Sequence, residues 1–171
     1  MNGTVRYLLL ALLLLIAQGA LDNYVNLSVY IDIALFLFLI LVLPAGTGTV
    51  PAMLTAFAVG LLVDVLGNGI PGLTSAALTA AALCRRQILN LTVPKDFSGK
   101  DGKASVEDMG ISRFSVYSAV FTLIYLLVYI LLDNSGIRPF WPNMARLSLS
   151  LVINTAITTV LFAASRDSRK R

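Results

Sequence analysis

Six apolar runs follow one another along the chain, at residues 5–21, 29–43, 50–66, 70–84, 116–132 and 147–164. A helix that crosses a bilayer needs roughly 17–25 mostly apolar residues. The runs therefore predict a bundle of six transmembrane helices: an all-α polytopic membrane protein with a single integral domain over residues 1–171. The fourth run is the least apolar, being rich in alanine and threonine over residues 72–84. Pro44 closes the second run. The long break at 85–115 holds Pro94, Gly99 and Gly102 among mixed charges and is predicted as a cytoplasmic loop. Its first residues, 85–91, continue the fourth helix along the membrane surface. The last break sets Phe140 and Trp141 between Pro139 and Pro142, a pair suited to the interfacial aromatic belt.

The basic residues orient the bundle. With six spans and a cytoplasmic N-terminus, Arg6, Arg85, Arg86, Lys95, Lys100, Lys103, Arg113, Arg166, Arg169, Lys170 and Arg171 fall inside, and only Arg138 and Arg146 fall outside. That is a strong positive-inside bias. Without the fourth span every later loop changes side, and only Arg6, Arg138 and Arg146 remain cytoplasmic. Charge therefore favours six spans, with the N- and C-termini both cytoplasmic. A second reading of the first run is a cleaved signal peptide, with residues 17–19 as a small-residue cleavage site. It leaves the orientation of the other five runs unchanged. The tail, with Arg169, Lys170 and Arg171, and the pair Arg85–Arg86 are expected to meet anionic lipid or cytoplasm.

Composition narrows the function classes. Hydrophobic residues make up 57% of the chain and charged residues 13%, against roughly a quarter charged in a soluble domain. The net charge of +4 comes without an aromatic-interleaved basic patch, which argues against nucleic acid as a partner. There is no histidine and one cysteine, Cys84. That excludes histidine-based triads, zinc-peptidase motifs, an internal disulfide and cysteine-rich metal sites. No catalytic set assembles, and neither an enzyme nor a cofactor is expected.

Asp64 is the leading candidate residue. It lies near the end of the third run, just before Gly67, Gly69, Pro71 and Gly72, and an acid at membrane depth must face protein or water. Two readings stand. The carboxylate hydrogen-bonds the following turn, through Asn68 or backbone amides, or it belongs to an ion or proton site, with Asp32 at similar depth. In the fourth run Ala76 with Ala80, Ala77 with Ala81, and Ser75 with Thr79 form small-residue rows at four-residue spacing. Such rows let helices approach closely. They serve packing within this chain, or docking of another membrane protein or a second copy, and Gly60 and Gly72 allow the same close approach. Asn154, with Thr155, Thr158 and Thr159, is expected to supply an interhelical hydrogen bond. Phe121, Tyr125 and Tyr129 share a helical face that reads as packing.

These residues resemble a known family. Gly60-Leu61-x-x-Asp64, a Gly/Pro turn, Gly72-Leu73 and a small-residue helix ending in Arg85-Arg86 look like the signature of the rod shape-determining protein MreD family. The chain length, the six runs, Pro44 and the basic C-terminus agree in layout. Relatives often have a histidine where this chain has Thr74, and a histidine pair in the fifth helix where it has apolar residues and tyrosines. The resemblance implies a non-enzymatic scaffold of the cell-elongation and peptidoglycan-synthesis machinery in the bacterial cytoplasmic (inner) membrane. Its fold would be similar to the S components of energy-coupling-factor transporters. It implies MreC as a partner, with RodA, a penicillin-binding protein and MreB filaments in the wider assembly. Gly60, Asp64, Gly72, Ala76, Ala77, Ala80 and Ala81 then become partner-docking candidates. Two alternatives stay open: a substrate-binding membrane subunit of a vitamin transporter, and a small proton- or ion-coupled transporter.

Overall fold

Lipid offers a peptide group no hydrogen-bond partner, so apolar runs in a bilayer satisfy their own backbones by coiling into helices. The computed structural model follows that rule with one exception. Its elements are α1 (Gly3–Tyr24), α2 (Leu37–Leu41), α3 (Thr49–Leu66), α4 (Leu73–Thr92), α5 (Ile111–Asn134) and α6 (Phe140–Lys170). The described residues are 3–24, 31–67, 70–92, 106, 109–134 and 140–170. Expectations for Lys95, Lys100, Lys103, Arg138, Asn68 and Arg171, and for the side chains of Arg6, Phe140, Arg169 and Lys170, lie outside them. Among the described residues there is no strand.

Among the described residues three helices are long and apolar enough to cross a membrane: Thr49–Leu66, Ile111–Asp133 and Trp141–Arg166. α1 carries a shorter apolar stretch, Tyr7–Asn23. α4 covers the weakly apolar fourth run and continues through Arg85 and Arg86 to Thr92, the extension expected from its sequence. Large apolar side chains line the outside of the bundle, among them Leu12 and Leu13 of α1, Leu54 and Phe57 of α3, and Val152 and Val160 of α6. Such a surface suits hydrocarbon, not water.

The exception is the second run, which the sequence predicts as a helix over 29–43. Residues 31–34 carry no regular structure, 35 and 36 form a turn, and only Leu37–Leu41 is helical. The segment is nonetheless the most buried part of the chain, with Leu37, Leu39, Ile40 and Leu41 fully enclosed. It runs antiparallel to α1, because Gln18 bonds to Ile33 and Leu35 while Tyr7 bonds to Leu39. Irregular backbone is tolerated at membrane depth only inside protein, where other groups satisfy it. Those groups are side chains of α1, α4 and α6.

α3 and α4 form a tight hairpin, and glycine sets their spacing. A Cβ added at Gly60 would lie 2.4 Å from the Cα of Ser75 and 2.8 Å from its nitrogen. The obstacle is backbone, which cannot swing aside. Gly60→Ala should therefore push α4 outward at a cost of about 2 kcal/mol, read as a lower midpoint in detergent-titrated unfolding. An unchanged midpoint would remove the close approach from the account. The turn between the helices explains the second glycine. Leu73 N–H bonds Ile70 O at 3.2 Å, and Gly72, after Pro71, has φ +94°. Proline followed by a residue of positive φ is the pattern of a type II turn, which selects glycine at that place.

α5 and α6 lie antiparallel along a mixed seam. Phe114 stacks on Phe162 with centroids 3.9 Å apart, and one turn further Ser118 Oγ lies 2.5 Å from Thr158 Oγ1. At the far end Asp133 meets Arg146.

Candidate functional site

Among the described residues the buried charged groups of this apolar bundle lie in three places. Each carboxylate or guanidinium taken out of water needs compensation, so the partners define what each place does.

The first is the corner between α3 and α4. Asp64, buried near the end of α3, accepts the backbone N–H groups of Gly72 (3.0 Å), Thr74 (3.0 Å) and Ser75 (3.2 Å). The first N–H groups of a helix have no partner within it, and a carboxylate there also answers the positive end of the helix dipole. Asp64 thus acts as an N-terminal cap delivered from the neighbouring helix. Of the two readings of Asp64, the hydrogen-bonded turn is the one built here, through backbone amides. Gly60, four residues earlier on the same face, brings α4 close enough for the carboxylate to reach.

The second lies at the same end of the bundle: Asp22 of α1 sits within contact distance of Gly67, just past α3. Here Arg146 of α6 holds Asp32 with two bonds, Nε–Oδ2 at 2.5 Å and Nη2–Oδ1 at 3.0 Å. It also holds Asp133 of α5 through Nη1–Oδ2 at 2.6 Å. Its guanidinium lies 5.7 Å over the ring of Tyr129. A two-pronged guanidinium–carboxylate pair fixes orientation as well as charge, so one side chain ties the irregular segment to the ends of two helices. The row continues inward along α6 at four-residue spacing: Ser150 Oγ accepts Asp32 N–H at 2.9 Å, and Asn154 Oδ1 accepts Ala34 N–H at 2.7 Å. Asn154 Nδ2 donates to Asp32 O at 2.6 Å. From α1, Gln18 accepts Leu35 N–H at 2.8 Å and donates to Ile33 O at 2.9 Å. The interhelical hydrogen bond expected of Asn154 is therefore a bond to unwound backbone. Asp32 and Asp64 each have their own hydrogen-bond partners.

The third is Arg85 of α4, only 2% exposed. It was expected at a lipid or cytoplasmic surface. Instead its Nη2 donates to Leu43 O, with Pro44 O at 3.4 Å, and so caps the end of the irregular segment. The core hydroxyl of Tyr117 lies beside the Arg85 guanidinium. Among the described residues no carboxylate pairs with Arg85, so carbonyl dipoles carry its compensation. Arg86, next to it, is exposed, as expected of a surface cation.

The docking candidates divide by burial. Gly60, Asp64, Ala77 and Ala81 are enclosed within the chain, which corrects their assignment from partner contact to internal packing. Small residues there let α3 and α4 approach, and nothing of them is left for a partner. Ala76 and Gly72 are exposed and Ala80 half-buried, so the outward row on α4 is Ala76–Ala80. Tyr125 and Phe121 are core, with Tyr125 edge-on to Phe36 at 5.7 Å. Trp141, 80% exposed, sits at the start of α6 where an interfacial anchor was expected.

The ion triad and Gln18 were not foreseen. The spacing Arg146, Ser150, Asn154, Thr158 is the signal that could have shown it, one polar residue per turn on a single face of an apolar helix. Among the described residues no group of three or more histidine, cysteine or acidic side chains is placed to hold a metal. No family model, curated protein or solved structure matches this chain.

Proposed function

We propose that the chain is a non-enzymatic membrane scaffold of the MreD kind, acting in the cell-elongation machinery of the bacterial inner membrane. One observation carries the reading: Gly60, Asp64 and Gly72, on which the resemblance rests, act together as a single structural corner. Gly60 admits α4, Asp64 caps it and Gly72 turns the chain between them. A signature whose residues meet in one mechanical unit is worth more than an apolar pattern that matches by chance.

In this reading the bundle crosses the bilayer six times. α1, the irregular segment through α2, α3, α4, α5 and α6 alternate in direction, and the second crossing is made by buried, partly unwound chain. The end bearing Arg85, Arg113 and Arg166 is cytoplasmic, and the end bearing Arg146 faces outward, in keeping with the bias of basic residues. The outward row Ala76–Ala80 is the docking face for the single membrane helix of an MreC-like partner, since small residues let two helices pack closely in lipid. RodA, its penicillin-binding partner and MreB filaments belong to the wider assembly, and Arg86 meets anionic headgroups.

The experiment is co-purification of an MreC-like partner together with rescue of cell shape. Ala76→Leu combined with Ala80→Leu fills the outward row without touching the core. The variant should remain monodisperse, lose at least about tenfold of the recovered partner and fail to restore rod shape. Tenfold corresponds to about 1.4 kcal/mol of binding. Full recovery of partner and shape would refute the docking face.

A further inference from the structure

Residues 31–34 contain no helix breaker and are nonetheless held unwound. Residues 31–43 contain neither glycine nor proline, and Pro44 is the first breaker. The helix of α2 already reaches back toward them: Leu37 N–H bonds Ala34 O at 3.3 Å and Phe38 N–H bonds Leu35 O at 3.1 Å, a tightened first turn. Ahead of that turn the backbone is satisfied only from outside. Asp32 N–H, Asp32 O, Ile33 O, Ala34 N–H and Leu35 N–H are all bonded to Ser150, Asn154 or Gln18. A helix extended to residue 31 would satisfy the carbonyls of Asp32 and Ile33 with the amides of Phe36 and Leu37 instead. The carbonyls of Asp32 and Ile33 and the amide of Leu35 thus have a second, internal set of partners, while the amides of Asp32 and Ala34 would become first-turn groups with no acceptor within that helix.

We propose that residues 31–34 are a two-state element, unwound while Gln18 and Asn154 clamp it and rewound onto α2 when they let go. The two ends are not equivalent. Leu43 and Pro44 are pinned by Arg85, whose charge cannot be removed by deprotonation. The outer end is held by Arg146 through Asp32. Extended chain advances about 3.3 Å per residue and helix 1.5 Å, so rewinding residues 31–34 shortens the segment by at most about 7 Å. The movement falls on the outer end, drawing Asp32 inward and away from Arg146 and Asp133. The device therefore links the hold of α1 and α6 on this segment to the charge arrangement at the outer face.

The test is carbon-13 chemical shifts of isoleucine in the full chain, held in lipid nanodiscs. In the wild type Ile31 and Ile33 should show non-helical Cα shifts and Ile40 a helical one. Gln18→Leu combined with Asn154→Leu removes the clamp and should move Ile31 and Ile33 to helical values with Ile40 unchanged. Helical values for Ile31 and Ile33 in the wild type overturn the proposal, as do unmoved shifts in a monodisperse double variant. If that variant does not fold, amide exchange of the wild type decides. Amides 33–35 should then open at least about tenfold more often than those of Leu39–Leu41 while α3, α4 and α5 stay protected. Equal protection along the segment overturns it.

Discussion

Replacing Arg146 by methionine should destabilise the bundle by about 3 kcal/mol, the scale of removing one partner from a buried ion pair. The loss comes less from the bonds than from what they leave. Asp32 and Asp133, each mostly shielded from water, would face one another without a cation between them. The check is a neutralised set. Asp32→Asn and Asp133→Asn added to Arg146→Met leave no charge to solvate, and most of the lost stability should return. Continuum reasoning and experiment agree that a buried ionic group is a weak source of net stability while a broken one is costly. Unfolding midpoints in mixed detergent micelles measure the three variants on one scale. If the triple variant is as unstable as Arg146→Met alone, the cost lies in lost shape and not in exposed charge.

Asp64→Ala should cost a similar amount, about 3 kcal/mol, because three backbone N–H groups lose a charged acceptor at once. Two of them, on Thr74 and Ser75, belong to the first turn of α4 and have no acceptor within that helix. Asp64→Asn separates charge from geometry. One carbonyl oxygen remains, enough for Gly72 and Ser75 or for Thr74 but not for all three, so roughly half the loss should persist. Amide exchange localises the effect: protection should fall at 72–76 before it falls in α5 and α6. Uniform loss across the chain would mean that Asp64 acts through something other than the start of α4.

The large features were legible because they follow from local composition. Long apolar runs must satisfy their own backbones in lipid, and α1 and α3 do so close to the expected borders, while α5 and α6 begin five and seven residues before theirs. Pro71 followed by Gly72 announced the turn, and a small-residue run announced a close helix pair, with Gly60 at its tightest point. Asp64 could be read to the extent of two alternatives, since a carboxylate before a turn has backbone amides within reach whatever the rest of the fold does.

What the tertiary structure decided was the fate of groups far apart in the chain. No glycine or proline at residues 31–34 breaks a helix there. These residues are unwound because Gln18 from one helix and Ser150 and Asn154 from another offer their peptide groups better company, at separations of up to 122 residues. For the same reason Arg85, which reads as a surface cation beside Arg86, turns inward to the carbonyls of Leu43 and Pro44. Arg146, which counted only toward topology, became the centre of a charge cluster. Sequence periodicity reports which side of a helix avoids water. It does not report which distant polar group will be waiting there, and that depends on how all the segments pack together.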